Sequence, residues 1–231
     1  MRRAAAIVVS ALAAATLAGC GGSSGPPRFD AGHFHGARID NPWLPLRPGT
    51  TFVYSGTKDG KHARDVVTVS AETKEILGVT CVVVRDRLAL AGEPAEQTAD
   101  WYAQDDDGNV WYFGEATREL QNGKVTTTEG SWEAGVHGAR PGVVMEAKPR
   151  VGDAYEQEHF PGHAEDHAKV LSLAAALRVP QGSYRGAQLT KEWTPLEPGV
   201  IDHKYYARGV GLVKEDTVKG PRESLVLVRI S

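Results

Sequence analysis

The sequence is poor in cysteine, in excess charge of either sign and in long apolar runs, and each scarcity excludes a class of protein. Only Cys20 and Cys81 occur among 231 residues, which excludes a disulfide-dense scaffold. Lysine and arginine total 26 against 29 acidic residues, a net charge of −3, so nothing electrostatic suggests a nucleic-acid partner. The apolar run at residues 4–16 is too short to span a bilayer, and no later stretch has the length of a transmembrane helix.

Short catalytic signatures are missing as well. Beyond residue 38 there is no Gly-x-Ser-x-Gly, and the sequence has no glycine-rich phosphate loop and no His-Glu-x-x-His. Ser55-Gly56-Thr57-Lys58 has the loose Ser-x-x-Lys spacing, but it opens a hairpin and has no accompanying motif. We therefore assign no catalytic residue and expect no cofactor, and the sequence favours a protein that is not an enzyme without settling the question.

The N-terminus has the layout of a secretory signal: Met1-Arg2-Arg3, the apolar run, and then Leu17-Ala18-Gly19-Cys20. The last four residues resemble the bacterial lipobox. The resemblance implies cleavage after residue 19, a diacylglycerol thioether on Cys20 and acylation of the new amino terminus, for example with palmitate. Two or more acyl chains hold a protein stably on a membrane, so we expect a lipid anchor on the extracytoplasmic face of the cell membrane. The alternatives are an ordinary secretory signal with a chance cysteine and an uncleaved anchor.

The rest of the chain divides into a tether and one domain. Residues 20–38 are rich in Gly, Ser and Pro, which predicts a flexible tether. Residues 39–231 are predicted to form a single β-rich domain, with a proline-rich arm at its start held down by Trp43, Leu44 and Leu46. Cys81 lies in a run of β-branched residues and is expected to be an inert, buried thiol.

Beyond residue 49 the patterns are those of strands. β-Branched runs are separated by turn pairs such as Asp59-Gly60 and Asn122-Gly123, which adopt the positive φ of tight hairpins. Glycine and proline break the pattern at residues 130–149, which predicts a long structured loop with short strands. Ten to twelve strands are expected, in an all-β antiparallel meander that forms a curved sheet, a half-barrel or a barrel.

Several sequence blocks resemble those of a family of bacterial secreted proteins and lipoproteins for which no activity is established. The blocks are Asp40-Asn41-Pro42-Trp43-Leu44-Pro45-Leu46, Trp101-Tyr102-Ala103-Gln104-Asp105, Gly108-Asn109-Val110-Trp111-Tyr112, Val151-Gly152-Asp153-Ala154-Tyr155, Trp193-Thr194-Pro195-Leu196-Glu197-Pro198, and Lys204-Tyr205-Tyr206-Ala207 with Gly209-Val210-Gly211-Leu212-Val213. The resemblance implies an extracytoplasmic location and β architecture. By analogy of fold, the family is similar in outline to curved-sheet lipoproteins that carry lipids.

One segment has the composition of a metal site. Three histidines at steps of four, with carboxylates among them, supply ligands that zinc or a similar divalent ion accepts. The candidate ligands are Glu158, His159, His163, Asp166 and His167. The alternative is a polar loop with solvated histidines. The acidic turn at residues 105–109 has the wrong spacing for a calcium loop and is interpreted as a hairpin turn.

Aromatic residues flank that turn. If it has four residues, Trp101 faces Tyr112 and Tyr102 faces Trp111, which places aromatics on both faces of the hairpin. One face belongs to the core, and the other needs cover from the proline-rich arm or from a ligand such as a lipid or a sugar. These four residues are the candidate ligand wall, although packing alone also explains them.

Three functions follow from these observations. The first is a binding or envelope-associated lipoprotein with an apolar ligand in the concave face of an aromatic sheet. The second is a metal-binding protein or metal-dependent enzyme that uses residues 158–167. The third is a module that docks another protein through its aromatic hairpin.

Overall fold

The computed structural model describes residues 27–231, which form one antiparallel sheet. A 3-10 helix, Ala31–His33, precedes fifteen strands. The strands are β1 Thr51–Lys58, β2 Lys61–Ile76, β3 Val79–Leu90, β4 Glu93–Gln104, β5 Val110–Gln121, β6 Lys124–Thr127, β7 Trp132–Glu133, β8 Arg140–Met145, β9 Ala154–Glu156, β10 Glu158–His159, β11 His167–Val179, β12 Gly182–Trp193, β13 Ile201–Ala207, β14 Gly211–Lys219 and β15 Ser224–Ile230. Within the described range, no helix has the length and apolar character needed to cross a membrane.

The sheet is nearly closed and barrel-shaped, which confirms the predicted all-β antiparallel fold. Along the sheet the strand order is β10-β8-β5-β4-β3-β2-β1-β15-β14-β13-β12-β11-β9. Its two ends, β9 and β10, are separated in the chain by Gln157 alone. Because β9 pairs with β11 while β10 pairs with β8, this short segment joins the two edges of the sheet.

Local turn chemistry sets the hairpins. Asp59 and Gly60 have φ values of 53° and 69°, the left-handed pair that a tight antiparallel turn requires. Asn122 and Gly123 repeat the arrangement with 52° and 73°. The predicted structured loop at residues 130–149 contains β7 and β8, and the short strands of two to four residues account for the excess over the predicted number.

Both faces of the sheet are buried over much of its area. On β3, Val82 and Val84 belong to the inner cluster, whereas Cys81 and Val83 belong to an outer cluster. The thiol of Cys81 is fully buried and free, and burial raises its pKa to about 12, which confirms the expectation of an inert core cysteine. The arm after residue 38 is held by Trp43 and Leu46, which are both buried as predicted.

The outer cluster extends into the segment that the sequence assigned to the flexible tether. Phe29 and Phe34 pack edge-on against Trp111 and Phe113, with ring centroids 5.7–6.1 Å apart. Contacts with the sheet therefore begin before residue 39, and the division into a tether and a domain at that residue stays a prediction. Composition favoured a tether because glycine and proline dominate it, but two phenylalanines suffice to cover the outer aromatic face. The signal sequence and Cys20 lie outside the described residues.

Candidate functional site

A cavity of about 330 Å³ lies inside the barrel-shaped sheet. Apolar side chains line one part of it: Leu44, Leu46, Phe52, Val67, Val84, Val144, Leu212 and Leu225. Polar side chains line the rest: Tyr54, Tyr102, Tyr112, Tyr206, Gln157, Lys204 and the carboxyl groups of Asp65, Asp86, Asp100, Glu158, Asp166, Glu192 and Glu215. The exposed Asp166 marks a side on which the cavity meets solvent.

Four neighbouring strands supply a group of acidic side chains that we call the acidic wall. Asp65 on β2, Asp86 on β3 and Asp100 on β4 line the cavity, and Glu115 on β5 is connected to them through the Tyr112 hydroxyl. Side chains two residues apart in a strand point to the same face. Asp86 is two residues after Val84 and Asp100 is two residues before Tyr102, and all four side chains line the cavity. Asp100 and Glu115 are direct cross-strand partners. The acidic wall is thus a product of register across four strands.

Glu115 reaches this face through a β-bulge. Between Asp100 and Tyr102 on β4 lie two residue steps, but their partners Glu115 and Tyr112 on β5 are three steps apart. The additional residue is accommodated at Gly114, which has φ 121°. A Cβ on Gly114 would lie 2.2 Å from the carbonyl oxygen of Trp132, so only glycine fits this bulge. The bulge therefore turns Glu115 to the same face as Tyr112.

The Tyr112 hydroxyl joins two carboxyl groups of the acidic wall. It lies 2.7 Å from Oδ1 of Asp100 and 2.8 Å from Oε2 of Glu115. A hydroxyl has one proton and donates it to one carboxylate at a time, so the second carboxyl group is best satisfied when it carries a proton of its own. Burial raises the pKa of Asp100 to about 7 and that of Glu115 to about 8, and the charge of Asp100 also raises the pKa of Glu115.

Asp65 and Asp86 form a second acidic pair. Burial and a hydrogen bond with Asp65 raise the pKa of Asp86 well above its usual range. Two carboxyl groups in contact share a proton, because two ionised groups would repel each other in a medium of low dielectric constant. The Asp65 residue lines the cavity and is only 9% exposed. Its Oδ1 atom is buried and accepts no hydrogen bond from an N–H or hydroxyl group of the described residues.

The opposite side of the cavity has its charges paired. Lys204 Nζ lies 2.9 Å from Oε2 of Glu192 and 4.0 Å from Oε1 of Glu215. Burial lowers the pKa of Lys204, but the carboxylates of Glu192 and Glu215 outweigh that effect and raise it well above its usual value. The hydroxyl groups of Thr190 and Tyr206 donate to Oε1 of Glu192 at 2.8 and 3.3 Å. We call Glu192, Lys204 and Glu215 the paired wall.

The structure divides the predicted metal ligands between two faces. Glu158 and Asp166 line the cavity, and burial followed by the charge of Asp166 raises the pKa of Glu158 to about 8. The histidines have separate partners outside it: His159 contacts Glu156 and Arg140, His163 stacks on Phe160 at 4.3 Å, and His167 stacks on Trp193 at 5.4 Å. Among residues 27–231 no three such groups are placed to hold a metal ion. A zinc or similar site at these residues stays a prediction.

The predicted ligand wall is divided in the same way. Tyr102 and Tyr112 line the cavity and stack on each other with centroids 4.8 Å apart. Trp101 lies on the outer face below the ammonium group of Lys74, and Trp111 packs against the N-terminal arm. The predicted cross-strand pairs are wrong by one residue, since Tyr102 pairs with Tyr112.

The cause of that error is the length of the turn. Asp105 N donates to the carbonyl oxygen of Asn109, which closes a loop of five residues where four were assumed. The side chain of Asp105 also accepts hydrogen bonds from Asn109 N and from Nε1 of Trp111, at 2.8 Å each. A shift of one residue in a β-ladder changes the partners and faces of every side chain. The interpretation of residues 105–109 as a hairpin turn is confirmed.

Sequence reasoning missed the acidic wall and the paired wall. A signal was present: Asp86 continues the phase of the buried Val82 and Val84, where an unpaired carboxylate is rare. The signal alone is ambiguous, because the apolar residues on β3 and β4 occupy both phases and do not identify the inner face. Only the register between strands brings the four carboxyl groups together.

Comparisons with known proteins give two structural resemblances. No family model and no curated protein matches the sequence, so the family resemblance of its sequence blocks stays a prediction. A Bacteroides fragilis protein described as exported, with a YmcC-like fold, is 18% identical with a TM-score of 0.47 over 82% of this chain and 98% of its own. A Parabacteroides distasonis protein described as a lipoprotein is 10% identical with a TM-score of 0.45, covering 85% and 100%.

Proposed function

We propose that this chain is a lipid-anchored, extracytoplasmic binding protein that holds a small ligand with an apolar part in the cavity of its sheet. The observation that carries the proposal is the cavity of about 330 Å³, which is lined by both apolar and polar groups. Ligand sites have volumes of about 300–1,000 Å³ and combine an apolar surface with a few polar groups that orient the ligand. The cavity meets both criteria.

The side chains that would contact the ligand support the proposal that part of it is apolar. Phe52, Val84 and Leu225 come from three different strands and offer no polar atom to a ligand. The stacked rings of Tyr102 and Tyr112 add a flat aromatic surface beside them. Aromatic rings bury a large area and pack well against flat or extended apolar molecules.

A comparison of probe binding by two variants tests the binding proposal. The neutral apolar fluorophore N-phenyl-1-naphthylamine is titrated into the Cys20→Ser chain, and we expect fluorescence enhancement with a single saturating phase. Val84→Phe fills part of the cavity and should weaken binding about tenfold or more, since an overfilled pocket excludes the probe. Val125→Phe, at a position 53% exposed on β6, is the matched control. Equal binding by the two variants would contradict the proposal.

The location rests on the signal sequence and its cysteine. We expect the wild-type chain, produced with its own signal, to fractionate with membranes and to carry a mass increase equal to diacylglycerol plus one acyl chain. Cys20→Ser should move the protein to the soluble fraction, whereas Cys81→Ser should leave it on the membrane. Membrane association that survives Cys20→Ser would overturn the lipid anchor.

A further inference from the structure

The acidic wall has no positive charge to balance it. No lysine, arginine or histidine of the described residues lies within ion-pair distance of Asp65, Asp86, Asp100 or Glu115. The paired wall, by contrast, has Lys204 between its two carboxylates. The cavity is therefore polarised, with its one lysine on the side opposite its unbalanced carboxyl groups.

Burying carboxylates without a positive charge beside them costs free energy, and either protons or a cation can reduce that cost. Either protons bind and make the groups neutral, or a cation enters and pairs with them. The first applies to the empty cavity, since burial raises the pKa of Asp100 to about 7. If a cation replaced those protons, the carboxylates would be ionised and would accept hydrogen bonds from it. Such charge-assisted hydrogen bonds are stronger than those between neutral groups.

One carboxyl oxygen of the acidic wall lacks a hydrogen-bond donor, and a ligand could supply that donor. Oδ1 of Asp65 is buried and accepts no hydrogen bond from an N–H or hydroxyl group of residues 27–231; the only polar side chain that Asp65 is known to contact is the carboxyl group of Asp86, and the residue is 9% exposed at the cavity. Buried polar atoms in folded proteins nearly always have a partner, and an exception calls for a specific cause. An ammonium group in the cavity would take the place of the proton that Asp65 and Asp86 share and would donate to both carboxyl groups.

The surroundings favour an organic cation over a bare metal ion. Among the described residues no three acidic, histidine or cysteine groups converge as metal ligands do. The remaining volume is lined by Phe52, Val84 and other apolar groups, which a hydrated ion would not contact favourably. The stacked rings of Tyr102 and Tyr112 lie beside Asp100, and aromatic faces attract organic cations.

Resting on the proposed function, we propose that the ligand is an amphiphilic organic cation, a protonated amine with an apolar or aromatic body. Its ammonium group binds at Asp65, Asp86 and Asp100, and its body lies against Tyr102, Tyr112 and the apolar lining. Lys204 already pairs with Glu192 and Glu215, so the unbalanced carboxyl groups of the acidic wall are the ones left to hold the ammonium group.

Binding of the amine is coupled to proton release. An ammonium group beside the acidic wall favours the ionised carboxylates, so protons leave Asp86, Asp100 and Glu115 as it binds. Affinity then falls as the pH decreases from 7.5 to 5.5, because protons compete for the same groups. The titratable groups that face the site are Asp65, Asp86, Asp100, Glu115, Glu158, Asp166, Glu192, Glu215, Lys204, Tyr54, Tyr102, Tyr112 and Tyr206.

A matched pair of probes tests the charge alone. The Cys20→Ser chain is titrated by calorimetry with 2-phenylethylamine, which is cationic, and with 2-phenylethanol, which has nearly the same shape and no charge. At pH 7.5 we expect the amine to bind about tenfold or more tightly than the alcohol. The binding enthalpy of the amine should depend on the ionisation enthalpy of the buffer, because protons are released, and that of the alcohol should not.

Variants locate the charge selectivity. Asp86→Asn with Asp100→Asn keeps the shape of the wall and should abolish the preference for the amine while the alcohol binds as before. Asp107→Asn, in the exposed part of the turn at residues 105–109, is the matched control and should change neither. Asparagine replaces groups that the empty cavity already keeps partly protonated, so the double variant is expected to fold.

The outcomes separate this inference from the proposed function. Equal binding of amine and alcohol, or an amine preference that survives the double variant, overturns the cation assignment and leaves the apolar binding site standing. Tighter binding of Zn²⁺ or Ca²⁺ alone than of the amine, lost in the same variant, also overturns it in favour of a metal ion. Failure of both probes together with N-phenyl-1-naphthylamine overturns the binding function itself.

Discussion

At the scale of single residues, the Tyr112 hydroxyl controls the charge of the acidic wall. Its hydrogen bonds lower the pKa of Asp100 and of Glu115, which burial alone would raise further. Tyr112→Phe removes the donor, so both pKa values should increase, by about a tenfold change in each acid dissociation constant. Carboxyl ¹³C NMR titration measures them directly. Unchanged titration of both groups would show that the hydroxyl donates elsewhere in solution.

The carboxyl groups of the acidic wall also make stability depend on pH. Burial raises the pKa of Asp100 from 3.8 to about 7 on folding, so the folded protein holds a proton that the unfolded chain has lost. This contribution is fully present below about pH 4 and is lost as the pH rises through about 7. We therefore expect the melting temperature of the empty protein to decrease between pH 5 and pH 8.

Asp100→Asn should reduce that decrease by several degrees, because a neutral amide has no proton to lose. For a domain of this size each kcal/mol corresponds to about 2–4 °C in melting temperature. Differential scanning calorimetry at the two pH values gives the slope, and Asp107→Asn should leave it as in the wild type. A variant slope equal to that of the wild type would show that Asp100 ionises freely in the folded protein.

At the scale of elements, the bulge at Gly114 decides which side chains enter the cavity. Gly114→Ala should lower the free energy of unfolding by about 3 kcal/mol. The loss arises because alanine is strained at this positive φ and because its Cβ would clash with the Trp132 carbonyl. Gly60→Ala is the control, since Gly60 also has a positive φ but its Cβ would meet open space. It should cost only about 1 kcal/mol. Urea unfolding of the two variants compares them, and equal losses would contradict the role of the clash.

The hairpin from β4 to β5 illustrates why register could not be obtained from the pattern. Tyr102 and Trp111 alternate correctly within their own strands, and the assumption of a four-residue turn was enough to mispair them. The fifth loop residue is stabilised by the Asp105 side chain, which accepts from both Asn109 and Trp111. Such a side-chain network depends on the folded loop and is not encoded in the alternation of apolar residues.

At the scale of the whole molecule, the N-terminal arm covers the outer aromatic face. A chain that begins at residue 37 lacks Phe29 and Phe34 and should be less stable than one that begins at residue 27 by about 2 kcal/mol, for two half-buried rings. Phe29→Ala with Phe34→Ala in the longer chain should reproduce the loss. Thermal unfolding measures both, and equal stability of the two chains would show that the arm is not a structural part of the domain.

Closure of the sheet is likewise a property of the whole molecule. Gly142 on β8 lies against the segment that joins β9 and β10, where a Cβ would be 2.4 Å from the carbonyl oxygen of Gln157. This contact joins two edges of the sheet and encloses the cavity. Glu158 follows this segment directly, and burial raises its pKa to about 8.

The sequence by itself determined the local features of this protein. Strand periodicity, the Asp59-Gly60 and Asn122-Gly123 turns and the burial of Cys81 depend on neighbouring residues, and short-range pattern predicts such features well. Tertiary structure alone decided the closure of the sheet, the packing of Phe29 and Phe34 on the outer face, and the cavity with its opposed acidic and paired walls. Each of these depends on contacts between residues far apart in the chain, and a register change of one residue would have turned the same carboxylates outward.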